Sequence, residues 1–129
     1  MNTDELARRY RRYIDVLNRR DWATLGEFVA DDAVHNGRPL GLAGYRAMLE
    51  QDVRDIPDLQ FRLEMLVCEP PRLAARLRFR CTPVGRFMGL DVTGRTVDFT
   101  ENVIYAWRDG RIAEVWSVID KAAIEAQLQ

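Results

Sequence analysis

The chain has 129 residues, of which 47% are hydrophobic and 30% charged, and its formal net charge is −1. That is enough apolar mass for one sizeable core, and residues 1–129 read as a single domain. A near-neutral balance gives no electrostatic ground for nucleic acid or an anionic membrane as a partner.

Residues Thr3–Arg19 predict an amphipathic helix. Leu6, Tyr10, Ile14 and Leu17 share one stripe, the arginines lie elsewhere, and Thr3 or Asp4 can cap the start. A second, short helix is expected from Asp21, burying Trp22, Leu25, Phe28 and Val29. A turn-rich segment with a short strand or loop around Val34-His35-Asn36 follows. The third helix spans Leu42–Asp55, with Tyr45, Leu49 and Val53 on one side, and stops at Ile56-Pro57-Asp58.

The period then changes to two. Leu59, Phe61 and Leu63 begin a strand that continues to Cys68. After Pro70-Pro71, Leu73, Ala75, Leu77, Phe79 and Cys81 alternate with residues that include four arginines, the pattern of a half-buried strand. A glycine-rich loop, Pro83–Arg95, carries Phe87, Met88 and Leu90. A long strand, Thr96–Arg108, and a last strand, Arg111–Ile119, are joined by Asp109-Gly110, a strong hairpin signal. Lys121–Leu128 closes as a short helix. The predicted class is therefore α+β, with three N-terminal helices packed on a curved antiparallel sheet and a short C-terminal helix.

On the last strand, strict alternation puts Ile112, Glu114, Trp116, Val118 and Asp120 on one face. An apolar face ending in a carboxylate suits general acid/base chemistry, because burial raises a carboxyl pKa. Asp120 is thus either the acid/base or the N-cap of the final helix. His35, the single histidine, is either structural or a second catalytic group. Glu101 interrupts the apolar face of Val97, Phe99, Val103 and Tyr105. It either pairs with Arg78 or Arg80 or joins Asp120 in one cavity. Trp116, Tyr45, Tyr105 and Phe87 are the aromatics expected to line a substrate pocket, with Phe87 on a lid-like loop. The opposite side of the last two strands, Ile104, Ala106, Val115 and Ile119, is also apolar. A second copy of the chain is the simplest cover, so a homodimer through the sheet is expected.

Cys68 and Cys81 lie in no CxxC pair, and one histidine makes no ligand cluster, so no metal is expected. With no leader-like or membrane-spanning run, a cytoplasmic location with reduced thiols is expected.

Several motifs occur in a recognisable order. They are His35-Asn36-Gly37 with Pro39, Gly41 and Gly44-Tyr45; Ile56-Pro57-Asp58; Thr82; Gly85, Phe87 and Gly89; Thr93-Gly94-Arg95; Arg108-Asp109-Gly110-Arg111-Ile112; and Glu114, Trp116 and Asp120 before the tail Gln127-Leu128. Together they resemble the SnoaL-like polyketide (ester) cyclases of the NTF2-like superfamily. The resemblance implies a cone-shaped fold and a cofactor-free intramolecular aldol condensation on a hydrophobic, polyketide-like carbonyl compound. In it the aspartate matching Asp120 would remove and return a proton. Relatives isomerise steroids, dehydrate, hydrolyse epoxides or assist cofactor-free hydroxylation, and a non-catalytic ligand-binding role is the remaining alternative. One departure is plain: Cys81-Thr82-Pro83 stands where the cyclase pattern has Gly-Thr-His, so the sheet carries no histidine beside the aspartate.

Overall fold

A computed structural model describes all of residues 1–129. The chain order is α1 (Thr3–Asn18), a 3₁₀ helix (Trp22–Glu27), β1 (Val29–His35), α2 (Gly41–Asp55), β2 (Arg62–Glu69), β3 (Arg72–Cys81), β4 (Arg86–Phe87), β5 (Leu90–Asp91), β6 (Val97–Arg108), β7 (Arg111–Ile119) and α3 (Lys121–Gln127). Five strands form one sheet in the order β1-β7-β6-β3-β2, while β4 and β5 make a separate small hairpin. No helix is long and apolar enough to cross a membrane.

Several local expectations change; the loop Pro83–Arg95 contains the β4–β5 hairpin, and the strand expected from Leu59 begins at Arg62. The second helix is a 3₁₀ helix, with Asp21 making no side-chain cap. The segment around Val34 is a full edge strand, and it runs parallel to β7, so the sheet is mixed rather than purely antiparallel. The cap of α1 is Asn2, whose side chain accepts from the Glu5 N–H at 2.9 Å and donates to the Glu5 carboxylate at 2.8 Å. The first bond satisfies one helix-end N–H, and the second holds the Asn2 side chain in its capping position.

The core lies between the inner face of the sheet and the helices. Helix α1 buries Leu6, Tyr10, Tyr13, Ile14, Val16 and Leu17. From β3 come Leu73, Ala75, Leu77, Phe79 and Cys81, and from β6 come Val97, Phe99, Val103, Tyr105 and Trp107. The arginines of β3 point outward, as alternation requires. Two arginines expected on the wet face of α1 instead tie it down. Arg9 donates to the Gly110 carbonyl at 2.5 Å and lies over the Phe28 ring. Arg20 donates to the Leu59 carbonyl at 2.5 Å.

The decisive irregularity is in β7. Trp107 pairs with Ile112, but the next residue of β6, Ala106, pairs with Glu114. One extra residue, Ala113, is inserted, and a bulge of this kind reverses the side-chain alternation beyond it. Ile112 is inside, then Val115, Ser117 and Ile119 follow it inside, while Glu114, Trp116, Val118 and Asp120 point out.

Candidate functional site

The cone's inner surface narrows to a cavity of about 40 Å³ beneath the β4–β5 hairpin. Phe61, Phe79 and Phe99 come from the sheet side, Ile56 and Leu59 from the turn after α2, Ile119 from β7, and Phe87 from the hairpin. The rings are in contact, with Phe61–Phe79 and Phe79–Phe99 centroids both 5.3 Å apart and Phe87–Phe99 5.6 Å. The two remaining walls are carboxylic acids, Asp52 of α2 and Glu101 of β6. No cationic side chain lines the cavity.

Each acid occupies an apolar position of its element. Glu101 sits on the inward face of β6, between Phe99 and Val103. Asp52 lies on the α2 stripe of Tyr45, Leu49 and Ile56, spaced four, seven and eleven residues from Tyr45. Glu101 accepts a hydrogen bond from the Ser117 hydroxyl across from β7. Burial pushes its carboxyl above the usual range, and the Ser117 donor opposes that rise. Burial pushes Asp52 up to about 7, and the negative charges of Glu101 and Asp55 add to the effect. An apolar wall makes the first ionisation costly, and a second in the same cavity costlier still.

Other expected residues lie elsewhere. Asp120 is exposed, and its carboxylate accepts from the Ala123 N–H at 3.1 Å as the N-cap of α3. Trp116 is 40% exposed on the outer face of the sheet. Both expectations fail because the Ala113 bulge turns this stretch of β7 over. Tyr45 and Tyr105 are core residues and do not line this cavity. Tyr45 is 2.6 Å from the Tyr13 hydroxyl and Tyr105 is 3.0 Å from that of Tyr10, which satisfies all four buried hydroxyls. Contrary to expectation the sheet does carry the histidine: His35 ends β1 opposite Val115 of β7, with its ring edge-on to Tyr45 at 6.1 Å and outside the cavity wall. Its own burial and the charge of Arg38 hold the imidazole below its ordinary range. Glu101 and Phe87 are the two expected residues that meet at the cavity.

Arg78 and Arg80 are exposed. Arg78 pairs with Asp98 at 3.0 Å and Glu64 at 3.5 Å on the outer face. The Glu101–arginine pair therefore does not form, and no arginine lies between Glu101 and Asp120. A larger depression of about 670 Å³ lies between the 3₁₀ helix and α2. Its charged members, Asp31 and Arg46, are exposed and its polar groups do not converge, so the smaller acidic cavity is the better candidate.

Sequence reasoning missed Asp52 and Ser117. A signal for Asp52 was available: an aspartate at the i+7 position of an apolar helical stripe. Ser117 left no comparable trace, because its inward aim depends on the bulge.

A curved mixed sheet wrapped over helices, with a cavity opening beneath a short hairpin, defines the NTF2-like α+β cone. Comparison with known proteins narrows this. The profile of the SnoaL-like polyketide cyclases matches residues 7–128. The chain belongs to that family. A SnoaL-like polyketide cyclase structure from Agrobacterium tumefaciens is 53% identical over 100% of both chains, with a TM-score of 0.96. IdmH from Streptomyces antibioticus, a candidate polyketide cyclase, is 27% identical over 95% of this chain and 97% of its own, with a TM-score of 0.82. AclR from Streptomyces galilaeus, a candidate hydroxylase, is 25% identical over 98% and 97%, with a TM-score of 0.80. None of the functionally curated proteins is significantly similar to the chain.

Proposed function

We propose that this protein is a cofactor-free enzyme that transfers a proton at the carbon alpha to a carbonyl of a hydrophobic, aromatic small molecule, in an aldol-type cyclisation or a related step. The observation that carries the reading is the pair of carboxylic acids, Asp52 and Glu101, in one phenylalanine-lined cavity with no countercharge. Such a pair holds one proton most readily, and a singly protonated pair contains both an acid and a base. The Ser117 donor favours the ionised form of Glu101, which makes Glu101 the base and Asp52 the acid.

The chemistry then follows. Ionised Glu101 takes the alpha proton, and the electron pair moves into the enolate. Protonated Asp52 donates a hydrogen bond to the enolate oxygen. The enolate carbon attacks a second carbonyl of the same molecule, and the resulting alkoxide takes back the proton from Glu101. Phe87 and its hairpin must move outward to admit a substrate, since about 40 Å³ holds only a few waters.

The cavity's charge sets its selectivity. Two acids and no cation disfavour an anionic ligand, so esters and ketones should enter while the matching free acids do not. The test is alpha-hydrogen exchange in D₂O, followed by proton NMR, on paired aromatic β-keto esters and β-keto acids. Accelerated exchange of the neutral members alone is expected. Neutral members that bind with no acceleration would reduce the protein to a binding module.

We also propose that a second copy covers the outer sheet face, which beyond the bulge carries Trp116 and Val118, the expected Val115 and Ile119 having turned inside. Val67, Ala74, Ile104 and Trp116 form one apolar cross-strand row, and in the next row Met65 and Val118 lie at the two ends with Arg76 and Asn102 between them. Val118 is 70% exposed and Met65 59%, unusual for a contiguous apolar face in a monomer. Sedimentation of wild type as a dimer, and of Ile104→Arg as a folded monomer, is expected; a wild-type monomer would overturn this.

A further inference from the structure

Strand β7 has only β6 beside it once β1 has ended. Beyond His35 the chain leaves the sheet through Asn36 and Gly37, both at positive φ (47° and 77°). The turn is closed by reciprocal backbone hydrogen bonds between His35 and Arg38, at 2.9 and 3.0 Å. Without a further partner, the outward N–H and C=O of Ser117 would form an open sheet edge.

They do not, because Asn36 supplies one more rung. Its backbone N–H donates to the Val115 carbonyl at 2.9 Å. Its side-chain oxygen then accepts from the Ser117 N–H at 2.8 Å, and its side-chain nitrogen donates to the Ser117 carbonyl at 3.2 Å. A carboxamide carries the same donor and acceptor as a peptide group, so the Asn36 side chain extends the ladder after its backbone has turned away. Asparagine is also one of the few residues that accept a positive φ. The clamped peptide belongs to the residue whose hydroxyl meets Glu101, and Ser117 is the one side chain that donates to that carboxylate.

We infer that Asn36 is a positioning residue: its side-chain amide grips the Ser117 peptide and so aims the Ser117 hydroxyl at Glu101. This builds on the proposed role of Glu101 as base. The groups that face Glu101 are Asp52 and Tyr45 from α2, Tyr10 and Tyr13 from α1, and Tyr105 from its own strand. All four phenols ionise above their usual range, so among these Asp52 is the one carboxyl beside Glu101.

The test is a carbon-13 NMR titration of the Glu101 carboxyl, in wild type, Ser117→Ala, Asn36→Gly and the double variant. Glycine keeps the positive-φ turn and removes only the amide. Losing the Ser117 donor should raise the Glu101 midpoint by about one pH unit, since a hydrogen bond to the charged form stabilises it. Asn36→Gly should raise it by at least half as much, and the double variant should match Ser117→Ala alone. Ser117→Thr, which keeps the hydroxyl, should stay near wild type. A wild-type midpoint in folded Asn36→Gly, or additive shifts in the double variant, would overturn the inference. The titration needs no substrate, so an absence of turnover would sink the proposed reaction and leave this result readable.

Discussion

Glu101→Gln is expected to lower the alpha-proton exchange rate of a neutral aromatic keto ester by about 10²–10⁴-fold, the usual range for removing a positioned general base. Glutamine keeps the length of the side chain, and its amide oxygen can still accept the Ser117 hydrogen bond. What it cannot do is take a proton. Asp120→Asn is the control. Asp120 is an exposed helix cap, and asparagine caps equally well, so this variant should exchange at the wild-type rate. The pH profile carries further information. On the acid side the rate falls as Glu101, raised by burial, becomes protonated. On the alkaline side it falls as Asp52 loses its proton near about 7. A bell with its alkaline limb near neutrality is expected, and Asp52→Asn should abolish that limb, because an amide stays neutral and still donates. Full activity in Glu101→Gln would remove Glu101 from the mechanism.

Asp52→Asn is expected to stabilise the protein at pH 8–9 and to leave it nearly unchanged at pH 4. In the unfolded chain an aspartate titrates at about 3.9, whereas in the fold burial raises Asp52 to about 7. The folded state thus holds this proton more tightly than the unfolded one. The associated stability is fully present below about pH 4 and is lost as pH rises through about 7. Above that, the fold must keep an ionised carboxylate in an apolar wall, at a cost on the order of 2–4 kcal/mol. The neutral amide avoids the cost, and thermal melts should show a gain of about 5–10 °C at pH 8–9 for a domain of this size. An equal gain at pH 4 would show that the charge is not its source. Gained stability at alkaline pH together with a lost alkaline limb is the expected joint result, since the same ionisation of Asp52 drives both.

The sheet's inner face was largely legible. Leu73 to Cys81 keeps an apolar period of two throughout and Val97 to Tyr105 keeps it apart from Glu101, and both strands bury the side that alternation indicates. Glu101 stood out for the same reason, as the one carboxylate on an otherwise apolar face. Phe87 was legible as a cavity residue from its place in the glycine-rich loop. The β7 face was misread because strict alternation is valid only while the ladder stays in register. Ala113 breaks that register, and with it went the expected placement of Trp116 and Asp120. Tyr45 and Tyr105 were misread differently. Their rings were expected at a pocket, but both are packed in the core, where their hydroxyls meet those of Tyr13 and Tyr10.

By itself the sequence determined the order of helices and strands, the hairpin at Asp109-Gly110, the inner faces of β3 and β6, and the family. The elements follow from periodicity and turn chemistry, which act over a few residues, and the family from the resemblance of motifs spread along the chain. The tertiary structure alone decided which acids meet. Asp52 and Glu101 lie on different elements, far apart along the chain, and only the packing of α2 over β6 brings both into one cavity. It also decided that β7 presents Ser117 rather than Asp120, since the bulge arises from matching β7 to β6 on one side and β1 on the other. Register between strands is a property of the pair, and no stretch of one strand contains it.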